Sequence, residues 1–170
     1  MEEIVNKVAS SGLITLDLEE YCDINTPRVE IDLKEILFQG MILRESDLRT
    51  FVKEHDWTQY QDTYVNIDCS TDSIIPTWAF MIITSSLQPF AKKVVAGDQE
   101  LLNISIFNSS IEKIDFSEYE GKKIVLKGCG DFTIPPSCYV TMTYKLRPYA
   151  SSIMFGEPCS TVPVYKRKKT

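Results

Sequence analysis

The sequence predicts an α/β (or α+β) fold: a single domain over 1–170 that holds two copies of a strand–helix–strand unit behind an N-terminal pair of strands. Three observations lead there. Asp68-Cys69-Ser70-Thr71-Asp72 and Lys127-Gly128-Cys129-Gly130-Asp131 both run on through two residues to Ile-Pro, at Ile75-Pro76 and Ile134-Pro135. Both then reach Leu-x-Pro (Leu87-Gln88-Pro89; Leu146-Arg147-Pro148) and Gly plus an acid (Gly97-Asp98; Gly156-Glu157), with one residue of slip between Cys and Asp. Self-similarity of this kind marks a repeated structural unit. Apolar–polar alternation flanks the repeats, and 170 residues suit one core.

Taken in order, Leu13 to Leu18 and Arg28 to Leu33 alternate as half-buried strands, with Asp23, Asn25 and Pro27 between them; a meander or hairpin is expected. Glu45 to Glu54 places Leu48, Phe51 and Val52 on one helical face, with Ser46 as the expected cap. Tyr64 to Asp68 is a third strand and opens the first repeat, about 64–98. Pro76 and Pro89 bracket an apolar helix, and Lys92 to Ala96 closes the unit as a strand, so a crossover between parallel strands is expected. Gln99 to Ile114 reads as a packing helix. Lys122 to Lys127 begins the second repeat, about 123–159. There Tyr139 to Tyr144 alternates and is β-branched and aromatic, which by propensity is a strand. The matching proline brackets make it a helix instead. Residues 160–170 are expected to be an extended tail.

Composition excludes several classes. The formal charge is −6, and a nucleic-acid binder needs a basic face. The terminal Lys166-Arg167-Lys168-Lys169 cluster is assigned no function. No run approaches the roughly 18 apolar residues of a membrane span. The acidic start, Met1-Glu2-Glu3-Ile4, lacks a secretory pattern, so a cytoplasmic location with reduced thiols is expected for the five cysteines. No phosphate loop, dinucleotide fingerprint or serine nucleophile elbow is present, so no nucleotide cofactor is expected.

The chemistry gathers at the repeated corner. In an open α/β sheet the loop leaving a strand sits at the carboxyl edge, where ligands collect, and the following helix favours a thiolate. Cys69 and Cys129 end such strands, with Asp72 and Asp131 at matching places; a pseudo-two-fold packing of the units would bring the loops together. Cys159 follows the second unit beside Glu157. Metal ligands are therefore expected among Cys69, Cys129, Cys159, Asp72, Asp131 and Glu157, with zinc, iron or an iron–sulfur cluster as the species such donors take. Two other readings stay open: a thiol enzyme using Cys129 or Cys159 for sulfur or acyl transfer, and a non-catalytic interaction module whose cysteines are buried as small hydrophobes. Cys22 and Cys138 have no counterparts in the repeat and read as structural. His55, the only histidine, reads as a helix-end packing residue.

The segments His55-Asp56-Trp57, Pro76-Thr77-Trp78-Ala79, Lys127-Gly128-Cys129 and Gly156-Glu157-Pro158-Cys159 with Ser160-Thr161-Val162-Pro163-Val164 resemble those of a bacterial family, domain of unknown function 2480, over the whole chain. The resemblance implies encoding near iron–sulfur assembly components and hence a role in cluster or sulfur handling, with assembly proteins as partners, and carries no established activity or site.

Overall fold

The strand alternation and proline brackets resolve, in a computed structural model describing residues 12–128, 130 and 132–168, into mixed α/β structure. The described residues form four α-helices and seven strands in two sheets. Contacts divide the chain into two compact units, Ile24–Ser105, the middle of the sequence (the central unit), and Met1–Asp23 with Ile106–Thr170, the sequence on either side of it (the outer unit).

The first strand, β1 (Leu13–Asp17), belongs to the outer unit. Then come β2 (Arg28–Asp32), α1 (Glu45–Glu54), β3 (Tyr64–Asp68), α2 (Thr77–Leu87) and β4 (Lys93–Ala96). The sheet order is β2-β3-β4, parallel throughout, with Asp32 opposite Asp68 and Ile67 opposite Ala96. Ile31, Val65 and Ile67 from the sheet join Leu48 of α1 and Ala79, Ile83 and Leu87 of α2 in one buried cluster. The i, i+4, i+8 spacing of the α2 residues puts them on one face, which is why this apolar stretch is a helix.

The outer unit adds α3 (Gln99–Ile111), which begins in the central unit, then β5 (Lys123–Lys127), α4 (Pro136–Leu146), β6 (Ser152–Glu157) and β7 (Ser160–Lys166). Its order is β1-β5-β6-β7; the first three are parallel and β7 is antiparallel to β6. α4 is a helix despite its β-branched run. Pro136 occupies its first turn, and Cys138, Met142 and Leu146 recur four apart and are fully buried. Burying that row outweighs a propensity difference of less than about 1 kcal/mol per residue.

Strand ends share a device that sequence reading missed. Asp17 and Asp32 close β1 and β2, and each carboxylate accepts the N–H two residues on, at 3.2 Å from Glu19 and 3.0 Å from Lys34, starting a single 3-10 turn. Asp56 and Asp115 do the same before β3 and β5. These caps correct two expectations. β1 and β2 form no hairpin with each other: each turns away after its Asp and pairs in parallel with a distant strand, β5 and β3 respectively. At α1, Ser46 is not the cap; Arg44 holds that position and pairs with Asp47 at 2.6 Å.

The expected tail over 160–170 is corrected as well. Its residues 160–166 are β7, joined to β6 by the two-residue turn Pro158-Cys159. Gly156, at φ +117°, shapes that hairpin: a Cβ there would meet the Ser160 carbonyl oxygen at 2.7 Å. Arg167 then pins the chain end, donating to the carbonyls of Pro148 at 2.8 Å and Tyr149 at 2.7 Å and pairing with Glu120 at 2.7 Å.

Candidate functional site

The first corner lies where β3 ends. Cys69 is half-buried against the central core, and its N–H is held by Asp68 Oδ1 at 2.8 Å. The next N–H, of Ser70, donates to Asp32 Oδ1 at 3.1 Å across the sheet edge. Asp32 also pairs with Lys34 Nζ at 3.0 Å. Partial burial opposes its ionisation, but the bonds from Ser70 and Lys34 outweigh that and hold the carboxyl well below the usual carboxylate range. Cys69 Sγ lies 3.3 Å from Thr71 Oγ1, which donates to Ser73 Oγ at 3.1 Å. Asp72 is exposed in the same loop.

In the outer unit, β5 leads into the matching loop. Cys129 and Asp131 fall outside the described residues. Gly128 accepts a hydrogen bond from the Tyr139 hydroxyl at 3.2 Å, and a Cβ on it would collide with that hydroxyl and with Ile134. A Cβ on Gly130 would run into the Glu19 carboxylate. Both glycines are therefore close-approach positions. Cys159 is exposed at the tip of the β6–β7 turn, and Glu157 ends β6 opposite Ser160. Among the described residues, no group of three or more His, Cys, Asp and Glu side chains could hold a metal ion. Cys69 and Asp72 share a loop, while Cys159 and Glu157 sit at one hairpin end of the other unit.

The remaining cysteines match their structural reading: Cys22 and Cys138 are buried, the former donating to the Leu18 carbonyl at 3.2 Å. His55 caps the end of α1, with its ring 4.6 Å from that of Phe51 and 4.7 Å from that of Trp57, and Nε2 2.8 Å from the Tyr60 hydroxyl.

A second feature, absent from the sequence reading, is an open apolar groove of about 720 Å³ in the outer unit. One wall is the α4 row Tyr139, Val140, Thr143, Tyr144 and Arg147. The floor and other wall are Leu126, Phe155 and Val164. Val140 is 68% exposed and Tyr144 80%, although α4 already buries a different row. Tyr139 meets Phe155 edge to face at 5.5 Å between centroids, and Arg147 lies 4.7 Å above the Tyr165 ring. The signal that could have shown this is helical spacing: Tyr139, Val140 and Tyr144 recur on one side of α4, with Thr143 between them and Arg147 just past the helix end.

Fold and corners together define an α/β protein with two parallel three-stranded arrangements, the outer one extended by an antiparallel strand. This chain belongs to the family described as protein of unknown function (DUF2480), which it matches over residues 2–167. Among curated proteins and among solved structures, nothing matches.

Proposed function

We propose that the protein is a non-catalytic interaction module whose working surface is the groove along α4. One observation carries this reading: α4 is apolar on two faces, and the fold uses only one. Cys138, Met142 and Leu146 are buried, while Val140 and Tyr144, with Phe155, Val162 and Val164 of the hairpin, stay exposed. Contiguous exposed apolar surface of this kind marks interaction sites. The dye 8-anilinonaphthalene-1-sulfonate tests it. The native protein should bind the dye, and Val140→Glu should abolish binding with the circular dichroism spectrum unchanged. No native binding, or equal binding by the variant, overturns the reading.

A second reading is favoured by Cys69, a half-buried thiol fixed at the carboxyl edge of a central parallel strand. On this reading the protein is a metal- or cluster-binding accessory factor of iron–sulfur assembly. Its ligands would be drawn from Cys69, Asp72, Cys129, Asp131, Glu157 and Cys159. Thiolates suit zinc, iron and iron–sulfur clusters. Iron and zinc are measured in anaerobically purified protein and in the Cys69→Ser, Cys129→Ser variant. Absence of metal, or full retention by the variant, ends this reading.

A further inference from the structure

The geometry points to a specific occupant of the groove: an amphipathic helix of a partner protein, apolar along one face and carrying a carboxylate near its C-terminal end. This rests on the interaction-module reading above. The α4 stripe from Pro136 to Arg147 runs for three helical turns, about 16 Å, and is matched by an apolar strand wall at its side. A helix laid there would pack against α4 and over the β6–β7 face, where Phe155 stands opposite Val162. An open groove also suits a helix better than a small apolar ligand, because the helix brings its own polar face to water.

Charge selects the partner. Arg147 is the only charged residue lining the groove, and among the described residues no carboxylate pairs with it. Neither α4 (PSCYVTMTYKL) nor β7 (STVPVYK) contains an acid; Glu157, which ends β6, lies outside the groove lining. A second copy of this chain docking through α4 and β7 would therefore bring Arg147 or a helix N-terminus to Arg147, and both carry positive charge. A partner with an acid there makes a charge-assisted pair, and its helix C-terminus, with negative dipole, adds to it.

The central unit carries a reduced form of this surface, with Phe80 and Met81 where α4 has Tyr139 and Val140. Its helix α2, of the same length as α4, presents Thr77, Phe80, Met81, Thr84, Ser85 and Gln88 to a smaller opening of about 480 Å³. Ser85 and Gln88 stand where α4 has Tyr144 and Arg147, counted from the paired prolines. Among the described residues, no strand follows β4 in its sheet to build a second wall.

The experiment uses the full chain and two fluorescein-labelled peptides of about 18 residues, long enough to be helical. Both carry Leu at i, i+3, i+4 and i+7; one ends in Glu, the other in Lys. Fluorescence anisotropy should show the Glu peptide binding about tenfold more tightly, an advantage that shrinks with salt, with Arg147→Glu reversing the order. Equal affinities, or an order unchanged by Arg147→Glu, overturn the inference. If the dye binds and is lost in Val140→Glu while neither peptide binds, the helix is overturned and the docking surface stands. A dimer in sedimentation that Tyr144→Arg dissociates makes the occupant a second copy and also overturns it.

Discussion

The Asp32 carboxylate accepts the N–H of Ser70 at 3.1 Å, tying the end of β2 to the loop that carries Cys69. Because the same carboxylate starts the 3-10 turn through Lys34 N–H, one side chain fixes both the strand end and the thiol loop. Its folded-state pKa is depressed, so the stability it contributes is fully present above the unfolded value of about 4 and is lost as pH falls through that value toward the folded one. Asp32→Ala should cost about 1–2 kcal/mol at neutral pH, the usual scale for a cap and a charge-assisted bond. It should also flatten the loss of stability below about pH 4. Urea denaturation at several pH values measures both; an unchanged acid slope in the variant contradicts the role.

The strands were legible because alternation is local, and helices α2 and α4 because prolines bracket them. Strand partners were not, since β1 finds β5 and β2 finds β3 across long stretches of chain, and no short-range signal encodes a parallel pairing. β7 was hidden by Pro163 and by the basic residues after it. A proline is tolerated there because β7 is an edge strand. Of the site, the Cys69 loop was visible as a strand end followed by a proline-started helix, whereas the bonds from Asp32 come from another strand. The groove was invisible for a related reason: Val140 and Tyr144 read as ordinary apolar residues until β7 is known to lie beside them.

The two rows of α4 should respond oppositely to truncation. Met142 is fully buried, so Met142→Ala should cost about 2–5 kcal/mol from lost burial and the cavity left behind. Val140 is mostly exposed, so Val140→Ser should change stability by less than about 0.5 kcal/mol. Chemical denaturation of both variants checks the contrast. Comparable destabilisation would mean that the outer row is already packed within the protein.

At Gly128 the constraint is proximity. A Cβ would collide with the Tyr139 hydroxyl and Ile134, so Gly128→Ala should destabilise by about 1–3 kcal/mol through overpacking. Combining it with Tyr139→Phe removes one of the two colliding groups. The double variant should then be less destabilised than the sum of the single ones, a coupling expected for residues in contact. Additive costs in a thermal melt would show that the alanine is accommodated by movement of the loop backbone.

The thiols should separate by accessibility. Cys159 is exposed at a turn tip and Cys69 half-buried, whereas Cys22 and Cys138 are buried. Under native conditions iodoacetamide should modify Cys159 first and Cys69 more slowly. Cys22 and Cys138 should react only once the protein unfolds, because alkylation requires an accessible thiolate. Mass spectrometry of a time course reads each site separately. Bound metal would change the pattern in a distinctive way: thiols that act as ligands would be protected as isolated and become reactive after treatment with a chelator, while Cys22 and Cys138 would stay unreactive in both states. Equal labelling of Cys69 and Cys159 before and after chelation would leave the thiols without a metal role and the α4 groove as the surface to pursue.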